Sequence, residues 1–222
     1  MLTFTLSKKY IFDLIISFEI TSRNNYIQNL IRPIAPPLQS GITVGIGLDL
    51  GYLTRSEISE IFKGKITDNH LNLLLNCAGL KGDAARLHLR NNRELRQVQI
   101  PYELAEFVFY NHTLPKHCAS TLRVYRDVVK LHPIEQTAIV GLVFNRGNDV
   151  SDTDRRREMR QLIAAIQQDN DTLISDRILS MRRLWVNKGS DGLLRRRTAE
   201  AAAVALPDTI ILPKTDILTI LL

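Results

Sequence analysis

The sequence predicts a mainly helical α+β fold carrying one small β-ribbon. Three observations predict it. Gly41–Gly51 alternates apolar residues with glycine, threonine and aspartate at a period of two, the mark of a strand pair with two unlike faces. Upstream, Ile11, Leu14, Ile15 and Phe18 fall at helical spacing. From Thr54 onward, helical spacing and helix-start signals recur to residue 205.

In chain order, the first helix runs over Tyr10–Thr21, with Ser7 as its N-cap and Glu19 near its C-terminal end. That end is unfavourable to a negative charge. A carboxyl held there beside apolar side chains is the setting a general acid needs. Arg32–Pro37 is rich in proline, which fixes φ and restrains the preceding residue, so it reads as a stiff extended lead into the ribbon. Within the ribbon, Thr43, Gly45, Gly47 and Asp49 share one face, and Ile42, Val44, Ile46, Leu48 and Leu50 share the other. The apolar face packs on a core. The other offers a hydroxyl and a carboxylate separated by two glycines, a floor that a flat sugar ring can approach, although glycines alone also mark a hairpin that twists or bulges.

Thr54 and Glu57 form a capping box that opens the next helix. Further helices are expected at about 67–77, 101–111, 114–131, 133–145, 154–168, 172–184 and 192–205, with Pro101 and Pro133 in first turns, where proline is tolerated. After Pro207 the chain is apolar, and the pattern leaves open whether it packs on the core or binds a partner. At 222 residues and 45% hydrophobic content, one domain is expected over 1–222. It would comprise a helix-plus-ribbon lobe over 1–65, a helical lobe over 66–206 and an apolar tail over 207–222.

Lys and Arg number 29 against 23 Asp and Glu, a formal charge of +6, which favours an anionic polymer as partner. The arginines cluster at 155–157, 182–183 and 195–197 on expected helices. There they read as solvated faces paired with Glu158, Asp191 and Glu200. No aromatic residues interleave with them as stacking platforms, so no nucleic-acid partner is expected. Cys77 and Cys118 are the only cysteines, which excludes a disulfide scaffold; both read as buried thiols, and a single bridge between them stays open should the fold bring them together. The five histidines lack zinc-ligand spacing, so no metal is expected. No apolar run reaches the roughly 18 residues of a membrane span. Lys8 and Lys9 precede an apolar stretch, but Asp13 interrupts it and no small-residue cleavage site follows. The segment therefore reads as part of the fold rather than a signal peptide.

The order Glu19, then Gly-Ile-Thr43-Val-Gly-Ile-Gly, resembles the phage-type lysozymes, in which a helix-borne glutamate precedes a glycine-rich hairpin. Gln136–Gly147, containing Phe144-Asn145-Arg146-Gly147, is similar to that family's Phe-Asn-x-Gly helix end. Met181–Trp185 followed by Gly192-Leu-Leu-Arg-Arg-Arg197 and Glu200 is similar to its terminal helix. These matches run in the family's order and cover most of the chain. One departure is clear, since no acidic residue lies between Glu19 and Thr43. The nearest, Asp49 within Gly47-Leu48-Asp49-Leu50-Gly51, resembles the pattern of pesticin-like toxins, a bacteriocin branch of the same fold.

The resemblance implies a lysozyme-like fold with a cleft between ribbon and helical lobe, and hydrolysis of the β-1,4 bond of peptidoglycan by a toxin, effector or phage-derived endolysin. Glu19 would be the general acid. Asp49, with Thr43 beside it, would hold and deprotonate the attacking water, with inversion at the sugar and the two carboxyls roughly 6.5–9.5 Å apart. Gly45, Gly47, Asn145, Arg146 and Trp185 would contact substrate, although a lone tryptophan is more often core. No cofactor is required. Glycan strands are the expected partner, with an immunity or inhibitor protein as a second, and a monomer is expected. Action at the periplasm or wall would call for delivery by a holin, secretion machine or bacteriocin route. Two other readings stay open: a lytic transglycosylase using Glu19 alone, and a catalytically silent basic module that binds wall or nucleic acid.

Overall fold

Helices carry most of the chain, and the few strands form two separate antiparallel pairs. A computed structural model describes residues 2–222. Packing gathers these residues into two compact units, 2–18 with Pro115–Leu222, and Glu19–Leu114. The expected helices between residue 66 and Leu114 therefore belong with the ribbon.

In the first unit, β1 (Thr3–Ser7) pairs antiparallel with β4 (Ile217–Leu221), Thr3 opposite Leu221 and Ser7 opposite Ile217. The apolar tail is thus settled as a strand partner for the N-terminus. Phe4 and Leu6 of β1 are fully buried. The chain continues into α1 (Lys8–Ile11), a π-helical turn over Phe12–Ile16, and α2 (Ser17–Ile20). Ser7 caps α1 as expected, its hydroxyl accepting from the Tyr10 amide. Asp216 adds a second cap from the tail, accepting from the Ser7 hydroxyl (2.6 Å) and the Lys9 amide (2.8 Å).

Helix α9 (Pro133–Arg146) is the centre of this unit, buried along almost its whole length. Pro133 stands in its first turn, and its buried polar side chains have defined partners. The Gln136 carbonyl oxygen accepts from the Thr5 amide (2.9 Å), and the Thr137 hydroxyl from the Ser7 amide (3.0 Å). These bonds satisfy the edge of β1 that β4 leaves unpaired, which a buried strand requires. A β-carbon on Gly141 would lie 3.2 Å from Ile15, so the glycine lets the N-terminal helical run approach α9 closely.

Helices α8 (Leu114–Val124), α10 (Arg157–Gln167), α11 (Asp171–Ser180) and α12 (Asp191–Val204) complete the helical set here. Three expected helices are shorter than their apolar patterns. Tyr125 (φ −114°) breaks the 114–131 run, and tight 3₁₀ turns replace the α-helix at 126–130, 154–156 and 181–184. Cys118 is buried with a free thiol, as is Cys77 in the other unit. The arginine run at 195–197 is corrected, because Arg196 (3% exposed), Arg197 and Glu200 (both 0%) are buried rather than solvated. Helix α12 packs against both α9 and α11, which covers that face. Glu158 does pair as expected, with Arg183 at 2.6 Å, but it is itself buried.

His117 of α8 stacks on Phe144, ring centres 4.4 Å apart. Burial first, then the charges of Lys116 and Arg196, lower its pKa to about 4. The folded imidazole is neutral while the unfolded one protonates near 6.5, so the associated stability is present above pH 6.5 and lost as pH falls towards 4. The loss should reach up to about 3 kcal/mol. Urea midpoints at pH 7 and pH 4.5 should differ less in His117→Gln than in the wild type; equal differences would refute the assignment.

The second unit contains α3 (Arg23–Asn25), the hairpin of β2 (Thr43–Val44) and β3 (Leu48–Asp49), and helices α4 (Arg55–Phe62), α5 (Asp68–Leu75), α6 (Gly82–Asn91) and α7 (Tyr102–Val108). The Thr54–Glu57 capping box is present at α4. The Pro-rich segment is extended where Ile34 bridges Thr43, with N–H···O distances of 3.0 and 2.8 Å. Tyr26 is buried edge-on to Tyr102 and donates its hydroxyl to the Ile100 carbonyl at 2.7 Å. Helix α6 escapes the sequence pattern because Lys81 gives no side-chain cap and only Gly82 and Ala85 are buried on it. No helix among the described residues is long and apolar enough to cross a membrane.

Candidate functional site

The ribbon is a hairpin whose strands pair Thr43 with Asp49 and Val44 with Leu48. The expected two faces are present. Ile42, Val44, Ile46, Leu48 and Leu50 are buried, while Thr43, Gly45, Gly47 and Asp49 are half-buried. The glycines differ from the expected strand floor: Gly45 (φ +61°) and Gly47 (φ +69°) form the turn at the hairpin's tip. Those left-handed values account for glycine at both positions without any ligand.

Direct opposition in an antiparallel pair sets β-carbons about 4.5–5.5 Å apart, so Thr43 and Asp49 share the less buried face. Asp49 also closes the base of the hairpin. Its carboxylate accepts the Gly41 amide across both oxygens (3.1 and 2.9 Å) and the Gly51 amide at Oδ1 (2.8 Å). A β-carbon on Gly41 would lie 2.3 Å from Asp49 Oδ1 and 2.6 Å from the Gly51 backbone. On Gly51 it would lie 2.4 Å from the Leu80 carbonyl. Gly41 and Gly51 are therefore the residues that hold Asp49, a role the sequence reading missed. The signal available was the Asp49-x-Gly51 spacing, which suits a carboxylate accepting its own backbone amide two residues on. Gly41→Ala should displace the carboxylate and cost about 1–3 kcal/mol. Urea unfolding checks this, and an unchanged midpoint would count against so tight a site.

Glu19 is half-buried near the end of α2. The helix stops at Ile20, whose carbonyl accepts from the Ser22 amide (2.7 Å) and the Asn25 side chain (2.8 Å). Thr21 adopts a left-handed conformation (φ +65°), uncommon for a β-branched residue. Glu19, Thr43 and Asp49 all belong to the Glu19–Leu114 unit.

Asn145, Arg146 and Trp185 belong to the other unit. Asn145 is exposed at the end of α9. Arg146 is 8% exposed, donates to the Arg155 carbonyl at 2.7 Å, and lies 5.0 Å from the centre of the Trp185 ring. Burial, then repulsion from Arg156, Arg197 and Arg155, lowers its pKa to about 10. Trp185 is 9% exposed, with Arg197 5.9 Å from its ring, and packs as core. A cavity of about 730 Å³ is lined by Leu80, Ala84, Leu87, His88 and the 91–94 segment. Its lining includes none of Glu19, Thr43 or Asp49, and it holds no carboxylate pair, so hairpin geometry rather than cavity size selects the candidate site.

No curated protein matches the chain. Residues 16–197 match the family model described as Domain of unknown function (DUF8812), a span that contains Glu19, Thr43, Asp49, Asn145, Arg146 and Trp185, and the chain belongs to that family.

Proposed function

We propose that this protein is a peptidoglycan hydrolase, a muramidase cleaving the β-1,4 bond between N-acetylmuramic acid and N-acetylglucosamine. The observation that carries the reading is the cross-strand pairing of Thr43 with Asp49, in the same unit as a glutamate held at a helix end. Glu19 protonates the leaving oxygen. Asp49 and Thr43 hold the attacking water, and Asp49 takes its proton. A carboxylate offers about four acceptor positions, and the two glycine amides leave capacity for a water. The left-handed Thr21 and the π-helical turn before Glu19 are the kinds of local irregularity that gather at working sites. Gly45 and Gly47, in the same unit as Asp49, remain proposed substrate contacts. A lysozyme-like arrangement of the fold, a cell-wall site of action and an immunity protein as second partner form part of this proposal.

A second reading has a specific observation behind it. Asp49 is engaged by two backbone amides, as a purely structural aspartate would be, and a lytic transglycosylase needs only Glu19. Asp49→Asn separates the two on purified peptidoglycan. The hydrolase should lose about 10²–10⁴-fold in rate and release reducing-end fragments only from the wild type. Anhydro-muramyl ends, undiminished in Asp49→Asn, would move the assignment to the transglycosylase.

A further inference from the structure

Three carboxylates from separate parts of the chain meet in the first unit. Glu135 stands in the first turn of α9, Asp171 opens α11, and Asp208 follows α12. One oxygen from each lies within 4.8 Å of the others. Among the described residues, no Lys or Arg makes a salt bridge to any of them. A second observation points to a ligand. Glu135 is 2% exposed, and while its Oε2 accepts the His132 amide at 2.9 Å, its Oε1 is buried with no hydrogen-bond partner. Glu135 is the most buried of the three.

We propose that Glu135, Asp171 and Asp208 form a structural divalent-cation site, with calcium as the ion that fits. The donors are all carboxylate oxygens, the chemistry of a hard cation. Oxygens on opposite sides of a calcium ion lie about 5 Å apart, given bonds of roughly 2.3–2.6 Å, and the 4.8 Å spread falls inside that limit. Calcium takes about six to eight oxygens, so three side chains require water as well. A cavity of about 280 Å³, lined by Asp171, Thr172, Ser175, Asp176 and Leu206, adjoins the cluster and has room for it. The positive ends of α9 and α11 oppose a cation only weakly, against three nearby carboxylates. The ion would tie the starts of two helices to the segment after α12. That segment is already held near α9 by the contact of His132 Nε2 with the Ile210 carbonyl at 3.0 Å, and it leads into β4.

The test uses the full chain freed of metal with EDTA and dialysed, titrated with calcium chloride and, separately, magnesium chloride. Calorimetry reads stoichiometry and affinity, and Trp185 fluorescence reads thermal unfolding. Asp208→Asn alters an exposed position and Asp171→Asn a half-buried one, so both variants should keep the wild-type circular dichroism. One calcium per chain is expected, with Tm rising by roughly 5–10 °C at a hundredfold excess over Kd. Asp208→Asn should weaken binding at least tenfold, and the double variant should abolish both signals. The proposal fails if neither ion binds, if magnesium alone binds, or if Asp208→Asn retains the wild-type response.

Discussion

Glu19→Gln should leave a folded chain whose release of peptidoglycan fragments falls by about 10²–10⁴-fold. Glutamine keeps the size of the side chain and a hydrogen-bonding end but cannot give up a proton at the glycosidic oxygen. Circular dichroism checks that the variant is folded. Both readings of the reaction need this acid, and the variant therefore tests the enzyme assignment itself. Undiminished fragment release from a folded Glu19→Gln would sink the glycosidase. Activity lost in Glu19→Gln but kept in Asp49→Asn would instead assign the hairpin carboxylate to architecture, as its bonds from Gly41 and Gly51 already permit.

The largest stability effect should come from Glu200→Gln. Glu200 is fully buried and accepts from Arg197 at 2.7 Å and Arg196 at 3.3 Å. Burial pushes the Glu200 carboxyl up and the Arg197 guanidinium down, and the attraction between the charges opposes both shifts. Removing the anion takes from the buried Arg197 guanidinium the carboxylate that it donates to. The expected cost is about 3–5 kcal/mol, on the order of 10 °C in Tm for a chain of this size. Trp185 sits in the same unit, with Arg197 over its ring, so tryptophan fluorescence follows the affected region directly. Arg197→Met should cost less, because Glu200 keeps Arg196. A Glu200→Gln chain as stable as wild type would mean that Glu200 is neutral in the folded protein.

Local chemistry was legible in the residues. Ser7, Thr54 with Glu57, and Pro133 stand where capping rules put them, because a helix end is decided by residues within one turn of it. The two faces of the hairpin followed from strand periodicity alone. What the pattern misjudged was length and depth. Tyr125 ends a helix inside a run whose spacing continues, and α6 forms with neither cap nor apolar stripe. Arginine spacing on α12 looked like a solvated face because nothing in the spacing says which neighbours cover it.

The residues by themselves determined the element types, the Thr43–Asp49 face and the order of candidate acids, since each depends on side chains within a few positions of one another. Tertiary structure alone decided that the tail is the partner of β1, that Gly41 and Gly51 clamp Asp49, that Glu200 pairs with two buried arginines, and that Glu135, Asp171 and Asp208 meet. Most of these contacts join residues far apart in the chain. The Gly41–Asp49 clamp and the Glu200 cluster join closer ones, but the first needs the hairpin closed and the second needs α9 and α11 packed around α12. In every case the decisive quantity is what removes a group from water, and a linear pattern does not carry that information.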